Sequence, residues 1–298
     1  MNRRRGVGLG LTLFIAILVG YLISTGLKKS EVVSHQNKAI SKTVVQRYEL
    51  KNKTGRLQRD VTFWVYGPVE QTVANRIADV EVSHEYQVHR DDQGNRVMTF
   101  QLPQIPPYGS VIIDINSRLK ANTEQSDEAM TLLQRYLQAE PLIESDDPRL
   151  VKVARLFRQQ ESEARAKAVY QWVVENIKRS DYQSRALGAK KTLQTRQGDC
   201  TEFAHLYTAL ARAAGIPARV VSGYRYQGSA LMRSDDRHDW AEVLLNKQCR
   251  VVDTHARKFL ADEDSYIAIM RLDTQGGRPL VGHQRYKVNN KAIRVQQF

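Results

Sequence analysis

Three residues of this chain, Cys200, His238 and Asp253, are of the types needed for acyl transfer to sulfur. In such chemistry a thiolate attacks an amide or ester carbonyl, an imidazole holds it as an ion pair and then protonates the leaving amine, and a carboxylate fixes the tautomer and orientation of the imidazole. A cysteine, a histidine and an aspartate occur in most chains of this size, and an unpaired cysteine is most often a small buried hydrophobe. The elements that carry the three residues therefore decide between the two readings.

The segment GDCTEFAHLYTALARAAGIPARVVSGY, Gly198 to Tyr224, predicts a helix that starts at the thiol. Asp199 is a good N-cap, Cys200 is then the first helical residue, and Glu202 is placed to close a capping box. Phe203, Leu206, Tyr207, Leu210 and Ala214 recur at spacings of three and four, which gives an apolar stripe, and Gly215 before Ile216-Pro217 ends the helix. The free amides and positive dipole end at its start favour negative charge beside Cys200 and offer donors to an oxyanion.

Downstream, His238 to Leu245 alternates and is rich in strand formers, and Arg250 to Thr254 follows a polar turn at Asn246-Lys247. A two-residue turn there sets Asp253 opposite Trp240 and diagonal to His238 on one face, within reach of its imidazole. A register slip of one residue would separate them.

On these residues the segment from Lys191 to Phe259 resembles the bacterial transglutaminase-like superfamily, a branch of the papain-like thiol enzymes. The matching features are Gly198 and Cys200, the stretch Arg212 to Tyr224, His238 with Trp240 and Glu242, and Asp253. The resemblance implies that Cys200 is the nucleophile, His238 the base and acid, and Asp253 the orienting carboxylate. Three departures stand beside it. Asp239 replaces the alanine common after the histidine, Thr254-His255 replaces a Pro-Thr pair, and Cys249 stands where tryptophan is usual.

Several further residues invite a role. Gln194 and Tyr182 are oxyanion candidates, with a solvated loop residue and a half-buried structural tyrosine as their blander readings. The Cys200 amide is the safer donor. His205 reads as a packing or surface residue, and His255 as a competitor for Asp253 on the same strand face. Cys200, Cys249, His238 and His255 have zinc-ligand types, but no Cys-x-x-Cys or His-x-x-x-His spacing accompanies them. No metal and no cofactor is expected, since calcium-loop and phosphate-loop motifs are also lacking.

The N-terminus predicts where the chemistry occurs. Arg3-Arg4-Arg5 precede an uncharged apolar run from Gly6 to about Gly26, followed by Lys28-Lys29. About 20 such residues span a bilayer core, and the arginine cluster places the N-terminus in the cytoplasm and the remainder outside it. Residues 1–29 are thus expected to be an anchor or signal segment, the uncleaved form being favoured. This places a single-pass protein in the inner (cytoplasmic) membrane, with its catalytic domain in the periplasm or otherwise outside the cytoplasm. Two cysteines make no disulfide framework, and pairing Cys200 with Cys249 would silence the nucleophile. The net charge of +13 suits anionic headgroups or acidic envelope polymers. Nucleic-acid binding lacks a motif or an aromatic-basic platform.

A polar linker is expected over 30–43. A small β-sandwich should follow over 44–120, marked by alternating runs such as Val61 to Tyr66, Val97 to Phe100 and Val111 to Ile115, with Trp64 and Tyr108 read as core aromatics rather than a binding surface. Residues 121–298 form the catalytic domain, with helical patterning over 127–138, 148–160 and 161–178 and a gating loop over 227–237. The tail after Asp253 carries no chemical motif. The expected whole is an α+β protein: a papain-like, transglutaminase-like core behind a β-sandwich and a transmembrane helix. It would act on protein or peptide substrates of the envelope, as a protease, amidase or transglutaminase. The competing reading is a catalytically inactive envelope scaffold that keeps the fold, against which the presence of all three residues argues.

Overall fold

The computed structural model describes residues 42–123, 134–158, 161–228, 230–272, 279–280 and 282–298. The expected anchor and nearly all of the linker lie outside them, as does most of the expected helix over 127–138. Its described end is a single 3-10 turn, Arg135–Leu137. Among the described residues no helix is long and apolar enough to cross a membrane.

Alternation builds the first layer. In β1 (Lys42–Asn52) every second residue from Lys42 is buried, as a strand with one face on a core requires. β1 lies beside β6 (Ser110–Ala121), which is flanked in turn by β3 (Asn75–Val82). The facing sheet contains β2 (Gln58–Tyr66), β5 (Arg96–Ile105) and β4 (Gln87–Arg90). Between the sheets lies a sealed cluster that includes Tyr48, Leu50, Phe63, Met98, Phe100 and Ile113. Trp64 packs partly buried against the larger core, whereas Tyr108 is exposed.

The second layer system is helical around a sheet. Helices α1 (Pro148–Ala154), α2 (Ser162–Asn176) and α3 (Ala189–Thr195) surround α4 (Cys200–Ala213). The first is shorter than the pattern over 148–160 predicts, since it tightens into a 3-10 turn at Arg155–Phe157. A short parallel pair, β7 (Lys178–Arg179) and β8 (Gln197–Gly198), leads into α4. The sheet against which α4 packs is antiparallel, in the order β12 (Lys258–Phe259), β11 (Gln248–Asp253), β10 (Arg237–Leu245), β9 (Ala218–Arg225), β13 (Tyr266–Arg271). Helix α4 is buried on nearly every side from Glu202 to Arg212, not only along its apolar stripe. Its buried Arg212 is paired: it donates to the Ala218 carbonyl at 2.7 Å and meets Glu140 at 2.7 Å.

The tail closes the molecule. β14 (Tyr286–Val288) pairs with β2, and β15 (Ile293–Gln297) pairs with β1, so two strands from beyond the catalytic sheet complete the two sheets of the sandwich. The segment expected to gate is pinned to the same place. The Val45 amide donates to the Ala230 carbonyl and Met232, buried, returns a bond to Val45. One hydrophobic cluster includes Val44, Tyr66, Val97 and Leu119 of the sandwich together with Leu206, Tyr224 and Ile267 of the core.

Candidate active site

Local rules set the thiol. Asp199 caps α4 by accepting from the Thr201 amide at 2.8 Å, and the Glu202 carboxylate accepts from the Asp199 amide at 3.2 Å, completing the capping box. Glu202 also receives the Leu187 amide at 3.0 Å. It is fully buried, and burial together with the neighbouring Asp199 carboxyl pushes it up to about 7. Gly198 is glycine for packing reasons: a Cβ there would lie 2.2 Å from the Cβ of Glu202. The C-terminal end closes as a Schellman motif, with Gly215 at φ 83° and the Ile216 amide on the Ala211 carbonyl.

The hairpin adopts the expected register. Asn246 and Lys247 both have positive φ, 49° and 66°, as a type I′ turn requires, and Leu245 pairs with Gln248 through to Ala241 with Val252. His238 and Asp253 thereby meet: Nε2 of the imidazole lies 2.6 Å from Oδ2. The carboxylate is 1 % exposed and saturated with donors, accepting also from the Tyr266 hydroxyl at 2.8 Å and the Ala256 amide at 2.7 Å. Cys200 also acts on the imidazole and favours its charged form. With Nε2 committed to Asp253, Nδ1 is the nitrogen left available to a thiol.

Electrostatics follow from this geometry. Burial alone would disfavour the imidazolium, but Asp253 and Cys200 outweigh it and raise His238 to about 10. Burial would likewise push Asp253 up. His238, the Ala256 amide and the Tyr266 hydroxyl outweigh that and hold it below the usual carboxylate range. The two partners thus shift in the directions a charged pair requires.

The remaining candidates separate. His255 does not compete for Asp253, because β11 ends at Asp253 and His255 lies in the following turn, its ring 5.3 Å from Phe203 and 5.8 Å from His238. Gln194 lies on α3, a helix the sequence does not announce, and is exposed. Tyr182 is 80 % exposed rather than half-buried, beside Gln183, whose amide bonds Asp199 at 2.8 Å. His205 is fully buried. Neither Cys200 nor Cys249 forms a disulfide, and among the described residues no group of three or more metal-ligating side chains assembles. Among the described hydrogen bonds of the first turn of α4, the Cys200 amide has no acceptor, whereas the amides of Thr201, Glu202 and Phe203 all bond Asp199.

Two supporting residues escape sequence reasoning. Tyr266 lies in a tail strand with no motif, and only the sheet order brings it to Asp253. Gly223, opposite His238, allows the close approach of β13: a Cβ would fall 2.0 Å from the Ile267 carbonyl oxygen and 2.9 Å from the Trp240 ring. The Glu242 of the His-x-Trp-x-Glu pattern serves structure, since it pairs with Arg219 across the strands at 2.6 Å, both buried.

Residues 152–254 match the model of the transglutaminase-like superfamily. Among solved structures, a candidate cysteine protease from Cytophaga hutchinsonii shares the fold, with a TM-score of 0.56 and 17 % identity over 87 % of this chain and 90 % of that one. The periplasmic domain of TgpA from Pseudomonas aeruginosa, bound to ethylmercury, aligns with a TM-score of 0.37 and 20 % identity over 71 % of this chain and 90 % of that one. No curated protein matches the chain.

Proposed function

We propose, from the premise that residues 152–254 are a transglutaminase-like core, that this protein is a thiol enzyme which cleaves or transfers amide acyl groups through an acyl-Cys200 intermediate. The observation that carries the reading is the 2.6 Å pairing of His238 with Asp253, with Cys200 and Asp253 together raising the imidazole to about 10. His238 thus holds its proton at neutral pH beside the sulfur.

The thiolate attacks the carbonyl carbon, and the carbonyl oxygen takes the charge of the tetrahedral intermediate. The Cys200 amide is the donor placed to receive it. As the C–N bond breaks, His238 gives its proton from Nδ1 to the departing amine, and an acyl-thioester remains. Water or a second amine then attacks the thioester, His238 takes the proton from the attacking group, and the thiolate is released. Asp253 keeps its charge and holds the ring throughout. Water as acceptor gives hydrolysis and an amine gives transglutamination. Hydrolysis is favoured because water is always present.

We further place the enzyme at the cell envelope, with the apolar run 6–26 as an anchor behind an arginine cluster and a basic body acting on protein or peptide substrates there. Detection of the full chain in the membrane fraction, with the folded body open to protease only in spheroplasts, would support this. Recovery in the cytosolic fraction would overturn it.

The reaction is tested by acid-quenched mass spectrometry after mixing with p-nitrophenyl acetate. An acetyl adduct on the Cys200 peptide, absent in Cys200→Ala and slowed at least about 100-fold in His238→Ala, is expected. Acetylation elsewhere only, or at equal rates in His238→Ala, would exclude the mechanism. Added glycine ethyl ester then reports the acceptor, since an amide product marks transfer and acetate alone marks hydrolysis.

A further inference from the structure

The residues that follow Cys200 and His238 meet each other. Thr201 Oγ1 donates to Asp239 Oδ2 at 2.8 Å, so consecutive residues of α4 engage consecutive residues of β10. Asp239 is 1 % exposed, and its charge is compensated on all sides. Arg285 donates to Oδ1 at 3.3 Å and to the Ser222 hydroxyl at 2.8 Å, and His283 Nδ1 lies 3.9 Å from Oδ2. Burial would push the carboxyl up, but Arg285, His283, Ser222 and Thr201 outweigh it and hold Asp239 at about 2.

Behind Asp239 the network continues. The His283 Nε2 meets Nε2 of the fully buried His205 at 3.2 Å. Burial lowers both imidazoles. A buried aspartate with this many partners is expensive to build and unnecessary for folding a helix onto a sheet. None of these groups touches a reacting atom.

We propose that Asp239 is a positioning residue: through Thr201 it fixes the first turn of α4 against β10 so that the Cys200 sulfur meets His238, and His283 and Arg285 hold Asp239 in place. The carboxylate that departs from the superfamily pattern after the histidine thereby acquires a task. Arg285 and His283 come from the segment that enters β14, so the strands that complete the sandwich also set the thiol site. The inference rests on the thiol-imidazole pairing above. A displacement of about 1 Å between such groups costs on the order of 100-fold in rate.

The test is peptide-resolved alkylation of the full chain by iodoacetamide across pH, with Cys249 as reference in the same molecule. Thr201→Val and Asp239→Asn are expected to slow labelling of Cys200 at pH 7 by about 10- to 100-fold and to shift its pH profile. Thr201→Ser should restore both, and Cys249 should label at the wild-type rate throughout. Three results would overturn the proposal: a wild-type rate and profile in Thr201→Val, equal changes at Cys249, or failure of Thr201→Ser to restore Cys200. His238→Ala separates the two ideas. If it alters the Cys200 profile while Thr201→Val does not, the positioning role fails and the thiol-imidazole pair stands. If His238→Ala also leaves the profile unchanged, the pair itself fails.

Discussion

His238 combines burial, which opposes its charge, with two partners that demand it, and the partners win. The consequence for stability has a definite sign. A histidine raised from its ordinary 6.5 to about 10 stabilises the fold fully below about pH 6.5, and that contribution disappears as pH rises through about 10. Thermal midpoints measured from pH 6 to 10.5 are expected to fall on the alkaline side, and to fall less in Asp253→Asn, which removes the anionic partner. A curve of equal steepness in both proteins would show that the ion pair does not form. Tyr266→Phe should cost about 1.5–3 kcal/mol in urea unfolding, because its hydroxyl bonds a buried carboxylate at 2.8 Å. The three reacting groups were legible because each sits in a short, rule-governed context: a cap, a turn, an alternating strand. Tyr266, Thr201 and Asp239 were not. Their partners are far away in sequence, and a hydroxyl or carboxylate shows nothing of such pairing in its own neighbourhood.

At the scale of elements, close approach governs the site more than propensity does. β9 carries Gly223 because β13 and Trp240 leave no room for a side chain. Here the register also shifts, between Ala268 and Met270. Gly223→Ala is therefore expected to destabilise the protein by about 1–3 kcal/mol or more, read from the urea midpoint. A loss of only a few tenths would mean that the strands part readily. Helix α4 and the β10–β11 hairpin follow from local signals, the capping box and the two positive-φ turn residues. Helix α3 does not, for its N-cap is Gly188 at φ 82° with no side-chain cap, and its seven residues hold few periodic apolar positions. The 227–237 segment reads as a free loop from its glycine and charges, yet backbone bonds to Val45 dock part of it. Main-chain pairing of this kind leaves no trace in side-chain composition.

At the scale of the molecule, the sandwich and the thiol core share one hydrophobic cluster and lie within one compact unit, residues 39–298. Calorimetry should show a single unfolding transition whose van't Hoff and calorimetric enthalpies agree. Two resolved transitions would mean that the cluster holds two independent bodies together only weakly. The alternating strands of the sandwich are readable because their period of two persists over many residues. β14 and β15 have three and five residues, too few for any period to declare itself, and their pairing is fixed only by partners at the other end of the sequence.

That pairing has a kinetic consequence. β1 and β15 are separated by most of the chain, and loop closure over such a distance must precede the contacts that reward it. Until then the outer edge of β1 presents unpaired amides and carbonyls, an edge that invites pairing with another chain. A polypeptide synthesised from its N-terminus, with residue 42 well ahead of residue 293, must pass through this state. Its yield in the folded form should therefore depend on how quickly the last strand is delivered, and on what shields β1 in the meantime.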